Sequence, residues 1–179
     1  MLEVGDTVFV LVDVQGRLAQ TMVNRERLFD NLQRLVKGLR VLGVPILWLE
    51  QNPRGLGPTI PELAALLPDV QPIPKVSFSC CRCEAFMKAL RTTGRRQVLL
   101  AGIEAHVCIY QTAVDLLTQG YHVEVVADAV SSRTAENREI ALMRLRDAGI
   151  PLTSVEMALF ELLKVAQGPA FKEILAIVK

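Results

Sequence analysis

The sequence has no hydrophobic run that approaches a membrane span, and it carries almost no excess of charge. A transmembrane helix needs ~20 apolar residues in succession, and the formal net charge of the 179 residues is only +1. Acidic and basic residues are interspersed, so we expect neither a nucleic-acid partner nor a membrane partner. The N-terminal segment MLEVGDTVFVLVDVQ has no basic residue ahead of its apolar run, which predicts a strand rather than a secretory signal.

Histidine is scarce, and cysteine is clustered. The two histidines are His106 and His122, and three of the four cysteines, Cys80, Cys81 and Cys83, lie in the segment CCRC. A structural zinc site needs four ligands, usually two cysteine pairs or one pair with histidines. No second pair stands near CCRC, so a metal site is the weakest interpretation of it.

The CCRC segment leaves three interpretations open. Its cysteines can be small packing residues or exposed thiols at a helix start, which is the favoured interpretation. Cys80 and Cys83 also form a C-x-x-C pair, and a thiol-redox protein would use them to form a disulfide under diamide. The third interpretation is the metal site. Four cysteines without a secretory signal favour reduced thiols and a cytoplasmic location.

Short apolar segments alternate with helical periodicity along the whole chain. A composition of 51% hydrophobic residues is typical of a globular protein, and we expect one domain over residues 1–179. Strands that are apolar throughout predict a parallel α/β sheet covered by helices on both faces. The predicted strands are 7–14, 44–50, 97–102, 122–129 and 151–156, with an extended stretch before residue 75 as a further edge strand. The predicted helices are 28–42, 83–94, 105–120, 134–149, 157–166 and 169–178. Residues 52–63 are predicted to be a loop that can end in a short helical turn from Pro61.

Three polar residues follow predicted strands, where such sheets bind their ligands. Cys108 lies in the first turn of a helix, where free N–H groups and the helix dipole favour a thiolate and can hold an oxyanion. Asp13 ends an apolar strand, and a buried carboxylate is costly unless it is paired or used. Lys75 follows VQPIP. Each has an ordinary alternative as a core cysteine, a loop cap or a surface lysine, but together they supply a nucleophile, a base and a cation.

These segments resemble the isochorismatase-like cysteine hydrolase superfamily over nearly the whole chain. The resemblance rests on LVDVQ, PKVSFS and LLAGIEAHVCIYQTAVDLLTQGYHVEVVADAVSSR, which occur in the family's order. The segment EQNPRGLGPTIPEL resembles the isochorismatase domain-containing subgroup. The resemblance implies a Rossmann-like, three-layer α/β/α sandwich around a six-stranded parallel sheet.

The resemblance also implies roles for individual residues. Asp13 would be the general base, Lys75 the orienting cation and Cys108 the nucleophile. A cis peptide bond is implied between Ile103 and Glu104, with the N–H groups of Glu104 and Cys108 forming an oxyanion hole. The implied reaction is the hydrolysis of a small amide or ester through a thioester on Cys108.

The segment LEQNPRGLGPT departs from the related nicotinamidases. Those enzymes bind a metal through Asp-x-His and a further histidine in this region, and this segment contains no histidine. We therefore expect neither a metal nor a cofactor. Arg54 and Arg133 are the loop cations that could meet a carboxylate on a substrate. We expect the pocket to be lined by Gln15, Trp48, Gln51, Leu56 and Phe78, although core or loop packing is the alternative for the apolar three.

Other functions stay open at this point. The chain could be a catalytically weak or inactive binding or scaffold member of the same fold, or a hydrolase of vinyl ethers like true isochorismatases. Its partners are expected to be a small-molecule substrate and further copies of itself, with the apolar C-terminal segment FKEILAIVK as a contact surface. The substrate is not encoded in any motif.

Overall fold

The computed structural model describes all residues, Met1–Lys179, and is built on one parallel sheet. The sheet has six strands in the order β3-β2-β1-β4-β5-β6, and every adjacent pair is parallel. This architecture confirms the predicted α/β class. The strands are β1 Thr7–Val12, β2 Ile46–Gln51, β3 Ile73–Lys75, β4 Gln97–Ile103, β5 His122–Ser131 and β6 Leu152–Thr153.

Helices connect the strands and cover the sheet. They are α1 Gly16–Gln20, α2 Arg25–Val41, α3 Pro53–Leu56, α4 Pro61–Ala64, α5 Glu84–Thr92, α6 Tyr110–Thr118, α7 Ala135–Asp147, α8 Val155–Leu163 and α9 Gly168–Val178. Two irregular turns precede helices: a 3₁₀ turn at Cys80–Arg82 before α5, and a π-helical turn at Ala105–Ile109 before α6. None of these helices is long and apolar enough to cross a membrane.

The strand order creates a crevice between β1 and β4. From β1 the chain builds outward through β2 to β3, and it then returns to the other side of β1 with β4. The connections on the two sides diverge at this point, so the carboxyl ends of the two strands border an open space. Asp13 directly follows β1, and Cys108 lies five residues beyond the end of β4. Chain topology therefore brings these two side chains to the same edge of the sheet.

Gly102 allows the closest approach of β4 to β1. Its φ is +124°, and a Cβ atom built on it would lie 2.1 Å from the carbonyl oxygen of Val12. No residue with a side chain fits there without moving the backbone of one of the two strands. The glycine thus holds the two strands together immediately before the residues of the site.

The structure differs from the predicted elements mainly outside the sheet core. The strand predicted at 151–156 is only Leu152–Thr153, because Ser154 caps α8 by accepting a hydrogen bond from the N–H of Met157. The predicted loop 52–63 contains the single turn of α3, and the helical turn predicted from Pro61 is present as α4. The short helix α1 was not predicted, because five residues are too few to show helical periodicity.

Candidate active site

The amino group of Lys75 joins the three residues that the sequence singles out. Its Nζ lies 2.6 Å from Oδ2 of Asp13 and 3.9 Å from Sγ of Cys108. Both side chains of the ion pair are buried, with 0% of Lys75 and 2% of Asp13 exposed. Residues 13, 75 and 108 are far apart in the chain, so the sheet topology alone brings them into contact.

Three further oxygens hold the ammonium group in place. Lys75 donates to Oε1 of Gln51 at 2.7 Å and to the carbonyl oxygens of Ser77 at 3.1 Å and Phe78 at 3.2 Å. Gln51 is itself fixed, because its Nε2 donates to the carbonyl of Val76 at 2.8 Å. A buried ammonium is costly unless its donors are used, and here a carboxylate and three neutral oxygens use them.

Asp13 keeps one carboxylate oxygen free. Its Oδ2 accepts from Lys75, whereas Oδ1 is the one buried side-chain polar atom of the protein that has no hydrogen-bond partner. The backbone of Asp13 is in the left-handed region at φ +57°, which is uncommon for a residue other than glycine. Burial raises the pKa of Asp13 above its ordinary value, against the opposing effect of the Lys75 charge.

The same surroundings keep the Cys108 thiol protonated. Burial and then the negative charge of Asp13 raise the pKa of Cys108, and the nearby ammonium of Lys75 offsets only part of this effect. For Lys75, burial alone would lower the pKa, but the charge of Asp13 outweighs it and the pKa is raised. We had expected the helix start to favour a thiolate. The structure instead favours a neutral thiol beside an ion pair, because desolvation dominates.

The turn that carries Cys108 presents free backbone donors. The peptide bond between Ile103 and Glu104 is cis, and the N–H of Glu104 donates to no group in the protein. The carbonyl of Glu104 accepts from the N–H groups of Val107 and Ile109, while the N–H of Cys108 donates to no group outside its own turn, Ala105–Ile109. The Glu104 and Cys108 N–H groups are therefore two of the main-chain donors that could meet an anionic oxygen here; those of Ala105 and His106 also donate to no group outside the turn.

The side chain of Glu104 points to a cation. Its Oε1 accepts from Nε of Arg133 at 3.0 Å and from the N–H of the same residue at 3.2 Å. Arg133 was one of two loop cations expected to meet a substrate carboxylate. Its charge is instead used by Glu104, which leaves Arg54 as the unpaired candidate of the two.

Two of the expected pocket residues are structural. Gln15 is fully buried and braces the loop after β2, because its amide accepts from the N–H of Gln51 at 2.6 Å and donates to the carbonyls of Gln51 and Gly57. Trp48 is in the core, and its Nε1 donates to Oγ1 of Thr59 at 2.7 Å. Neither side chain is free to contact a ligand.

The other three expected pocket residues lie nearer to solvent. Gln51 holds Lys75, as described above, and Leu56 is half-buried where its carbonyl contacts α1 at Gly16. Phe78 is 56% exposed, and only its carbonyl oxygen reaches the site, by accepting from Lys75. Of the five, Gln51 alone forms a side-chain hydrogen bond to one of the three central residues, Lys75.

The CCRC cysteines flank the site without entering it. All are free thiols. Cys80 is fully buried and its N–H donates to Oγ1 of Thr112 at 2.9 Å, and burial raises the pKa of its thiol to about 12. Sγ of Cys83 contacts the carbonyl of Pro74 at 3.8 Å. The structure therefore shows Cys80 as a packing residue with a protonated thiol, which agrees with the favoured interpretation.

The sequence assigned no role to a buried acid beside the site, although its position at the end of a strand was noticed. Glu50 is 7% exposed, and its Oε1 accepts from both the N–H and the hydroxyl of Thr59, at 2.7 and 2.8 Å. Its charge contributes to raising the pKa of Asp13, after burial and against the effect of Lys75. A glutamate next to the last residue of an apolar strand was the available signal. No three His, Cys, Asp or Glu side chains are grouped so that they could hold a metal ion.

Comparison with known proteins gives consistent matches over this fold. A model of the isochorismatase domain matches residues 7–157. Isochorismatase domain-containing protein 2 of Danio rerio is 42% identical over 174 residues, which cover 97% of this chain and 87% of that protein. The structure of MAR1 ribonuclease from Caenorhabditis elegans superposes with a TM-score of 0.93 at 33% identity, covering 99% of this chain and 91% of that chain.

YcaC, a bacterial protein, is also similar. YcaC from Pseudomonas aeruginosa, solved with hexane-2,5-diol and covalent acrylamide, has a TM-score of 0.92 at 26% identity and covers 98% of this chain and 90% of its own. YcaC from Escherichia coli is described as an octameric hydrolase of unknown specificity. It has a TM-score of 0.93 at 26% identity, over 98% of this chain and 88% of its own.

Proposed function

The chain belongs to the isochorismatase family, and on that premise we propose that it is a metal-independent cysteine hydrolase of small amide-like or ester-like substrates. One observation carries the proposal. Nζ of Lys75 contacts both Oδ2 of Asp13 and Sγ of Cys108 at the carboxyl edge of the sheet. Acyl transfer requires a nucleophile, a proton acceptor and an orienting cation, and here the cation contacts the other two.

Asp13 is the base in this proposal. Its Oδ1 has no other partner, and its raised pKa lies nearer to neutrality than that of an ordinary aspartate. Oδ1 takes the thiol proton as Sγ of Cys108 forms a bond to the substrate carbonyl carbon. Lys75 holds the carboxylate in place and stabilises negative charge as the sulfur loses its proton.

The tetrahedral intermediate then collapses to a thioester. Its oxygen carries a negative charge that the N–H groups of Glu104 and Cys108 can accept. The carbon–nitrogen or carbon–oxygen bond breaks, and the leaving group takes the proton held by Asp13. Water next attacks the thioester while Asp13 accepts its proton, the carbon–sulfur bond breaks, and Cys108 regains the proton as the acid product leaves.

Variants of two cysteines test the proposal. A panel of small amides and esters is screened for turnover, and active substrates are then tested with Cys108→Ala and with Cys81→Ala as the matched control. We expect Cys108→Ala to lose turnover and the acyl adduct seen in the intact mass, and Cys81→Ala to keep both. Full turnover by Cys108→Ala would refute the proposal. The covalent acrylamide of the YcaC relative supports acrylamide as a first probe.

Two further measurements on the same protein test the alternatives within the family, a binding or scaffold protein and a vinyl-ether hydrolase. A binding or scaffold member predicts that Cys108 reacts with iodoacetamide no faster than an ordinary thiol at pH 7. A vinyl-ether hydrolase predicts turnover of a vinyl ether without any acyl adduct on Cys108.

RNA cleavage is a second candidate, because a relative at 33% identity is called a ribonuclease. The site favours acyl chemistry, since its residues are a thiol, a carboxylate and an amine, and the net charge of +1 offers little attraction for RNA. Incubation of labelled RNA with the wild-type protein and with Cys108→Ala distinguishes RNA cleavage from acyl hydrolysis. Cleavage by the wild type and not by Cys108→Ala would favour the nuclease.

We also propose that the chain self-associates. The octamer described for the Escherichia coli YcaC relative supports this, at 26% identity over most of both chains. Light scattering after size-exclusion chromatography measures the mass directly, and a value of one chain at micromolar concentration would contradict the proposal.

A further inference from the structure

A cavity of about 670 Å³ opens beside β3 on the outer side of Lys75. Its volume is in the range of small-molecule sites, which is ~300–1,000 Å³. The Lys75 side chain is fully buried and turned toward Asp13, so the main chain of residue 75 borders the cavity. The lining residues are Asn52, Pro53, Arg54, Pro74, Lys75, Val76, Ser77, Arg82 and Cys83; we call this space the Arg54–Arg82 cavity.

The cavity contains two guanidinium groups and no carboxylate. Arg54 makes no hydrogen bond and no ion pair, in contrast to Arg133. Arg82 has one weak partner, since its Nε lies 4.0 Å from Oδ2 of Asp115 and its side chain is 76% exposed. That same carboxylate oxygen already accepts from Oγ of Ser79 at 2.6 Å. Both arginines therefore have free N–H donors for an anion.

The backbone adds donors of its own. The strand β3 lies at the edge of the sheet, and the N–H groups of Val76 and Ser77, which directly follow it, make no hydrogen bond. Pro53, Pro74 and Val76, which is 84% exposed, add apolar surface to the lining, beside the polar residues Asn52 and Ser77. Free donors beside an apolar wall suit an organic anion better than an inorganic one.

We propose that the Arg54–Arg82 cavity binds the carboxylate of a small organic anion whose apolar part packs on Pro53, Pro74 and Val76. This site does not depend on the hydrolase proposal, because none of its side chains takes part in the chemistry assigned to Asp13, Lys75 and Cys108. It gives the CCRC segment a role through its arginine, Arg82, rather than through its thiols.

Cys83 reports on the charge of the cavity, because its thiol is part of the lining. The native protein is labelled at low ionic strength with iodoacetate, which is an anion, and in parallel with neutral iodoacetamide. Peptide mass spectrometry then gives the rate at Cys83 for each reagent. We expect the ratio of the iodoacetate rate to the iodoacetamide rate to fall roughly threefold or more in the Arg54→Gln/Arg82→Gln double variant.

The matched control is Arg146→Gln. Arg146 is an exposed arginine in the last turn of α7, away from the carboxyl edge, so this variant changes the net charge but not the cavity. Its rate ratio should equal that of the wild type. Thermal unfolding of all variants checks that they are folded.

Benzoate and benzyl alcohol test whether the cavity binds a ligand, and not only whether its positive charge attracts an anionic reagent. Millimolar benzoate should slow the labelling of Cys83 by iodoacetamide, benzyl alcohol should not, and the double variant should lose the protection. Simultaneous protection of Cys108 would show that the cavity belongs to the substrate site, and protection of Cys83 alone would show a separate effector site. An unchanged rate ratio in the double variant, no benzoate protection, or a Cys83 that neither reagent can reach would each overturn the proposal.

Discussion

Replacement of Lys75 by methionine should destabilise the protein in a pH-dependent way. Methionine keeps most of the volume of the side chain but removes the positive charge that pairs with the buried Asp13 carboxylate, 2.6 Å away. Breaking a buried ion pair by removing one partner costs about 3 to 5 kcal/mol, because the other charge stays desolvated. At roughly 2 to 4 °C for each kcal/mol in a chain of this size, the melting temperature should fall by about 6 to 20 °C.

The pH dependence follows from the carboxylate that remains. Asp13 already has a raised pKa, and without Lys75 its pKa rises further because desolvation is no longer opposed. Between the unfolded pKa near 3.8 and this raised value, the folded state binds more protons than the unfolded state. The loss of stability is therefore largest at pH 8 and shrinks as the pH falls through the folded pKa toward 5.

Urea unfolding at pH 8, 6.5 and 5 measures the effect. Lys88→Met, at an exposed position on α5, is the control for loss of a lysine charge. Asp13→Asn/Lys75→Met, which removes both charges, should recover a large part of the stability. A loss below about 1 kcal/mol for Lys75→Met, with no change across pH, would show that the ion pair is not buried as described and would refute the reasoning.

Other perturbations give simpler outcomes. If Asp13 is the base, kcat/KM should rise with pH through an apparent pKa above 3.8, the ordinary value for the carboxyl, and Asp13→Asn should lose that limb of the profile. Gly102→Ala should destabilise the protein by about 1 to 3 kcal/mol or more in urea unfolding, because its Cβ would meet the backbone of Val12 at 2.1 Å. Gly5→Ala, whose Cβ would meet nothing within 4 Å, should leave the midpoint nearly unchanged.

The sheet could be predicted because its strands are apolar on both faces and are separated by clear helical periodicity. β1 is buried along its whole length, as a strand of valine, leucine and phenylalanine should be in a parallel sheet. The shortest elements were predicted less well. The five residues of α1 are too few to show a period and this helix was not predicted, while β6 was predicted at 151–156 but has only two residues.

The proximity of the three candidate residues could be predicted, but the charge state of the thiol could not. The residue types at the strand ends and the resemblance to the family together indicated Asp13, Lys75 and Cys108 as candidate site residues. Whether the thiol is charged depends on the balance between burial and the neighbouring charges, which a sequence does not contain. In the structure burial outweighs Lys75 and raises the pKa of Cys108, so the proposed mechanism requires Asp13 to remove the thiol proton.

Most charged side chains at the carboxyl edge of the sheet are already paired, which restricts how an anionic substrate could bind there. Lys75 and Asp13 form a neutral pair, so Lys75 has little net charge to offer to a carboxylate. Arg133 is similarly compensated by Glu104 at 3.0 Å. Arg54 and Arg82 are the lining cations of the adjacent cavity, and neither has a hydrogen-bonded carboxylate. An anion attracted to this edge would therefore be held beside β3 by these arginines, and the buried ion pair would remain available for the proposed activation of the thiol.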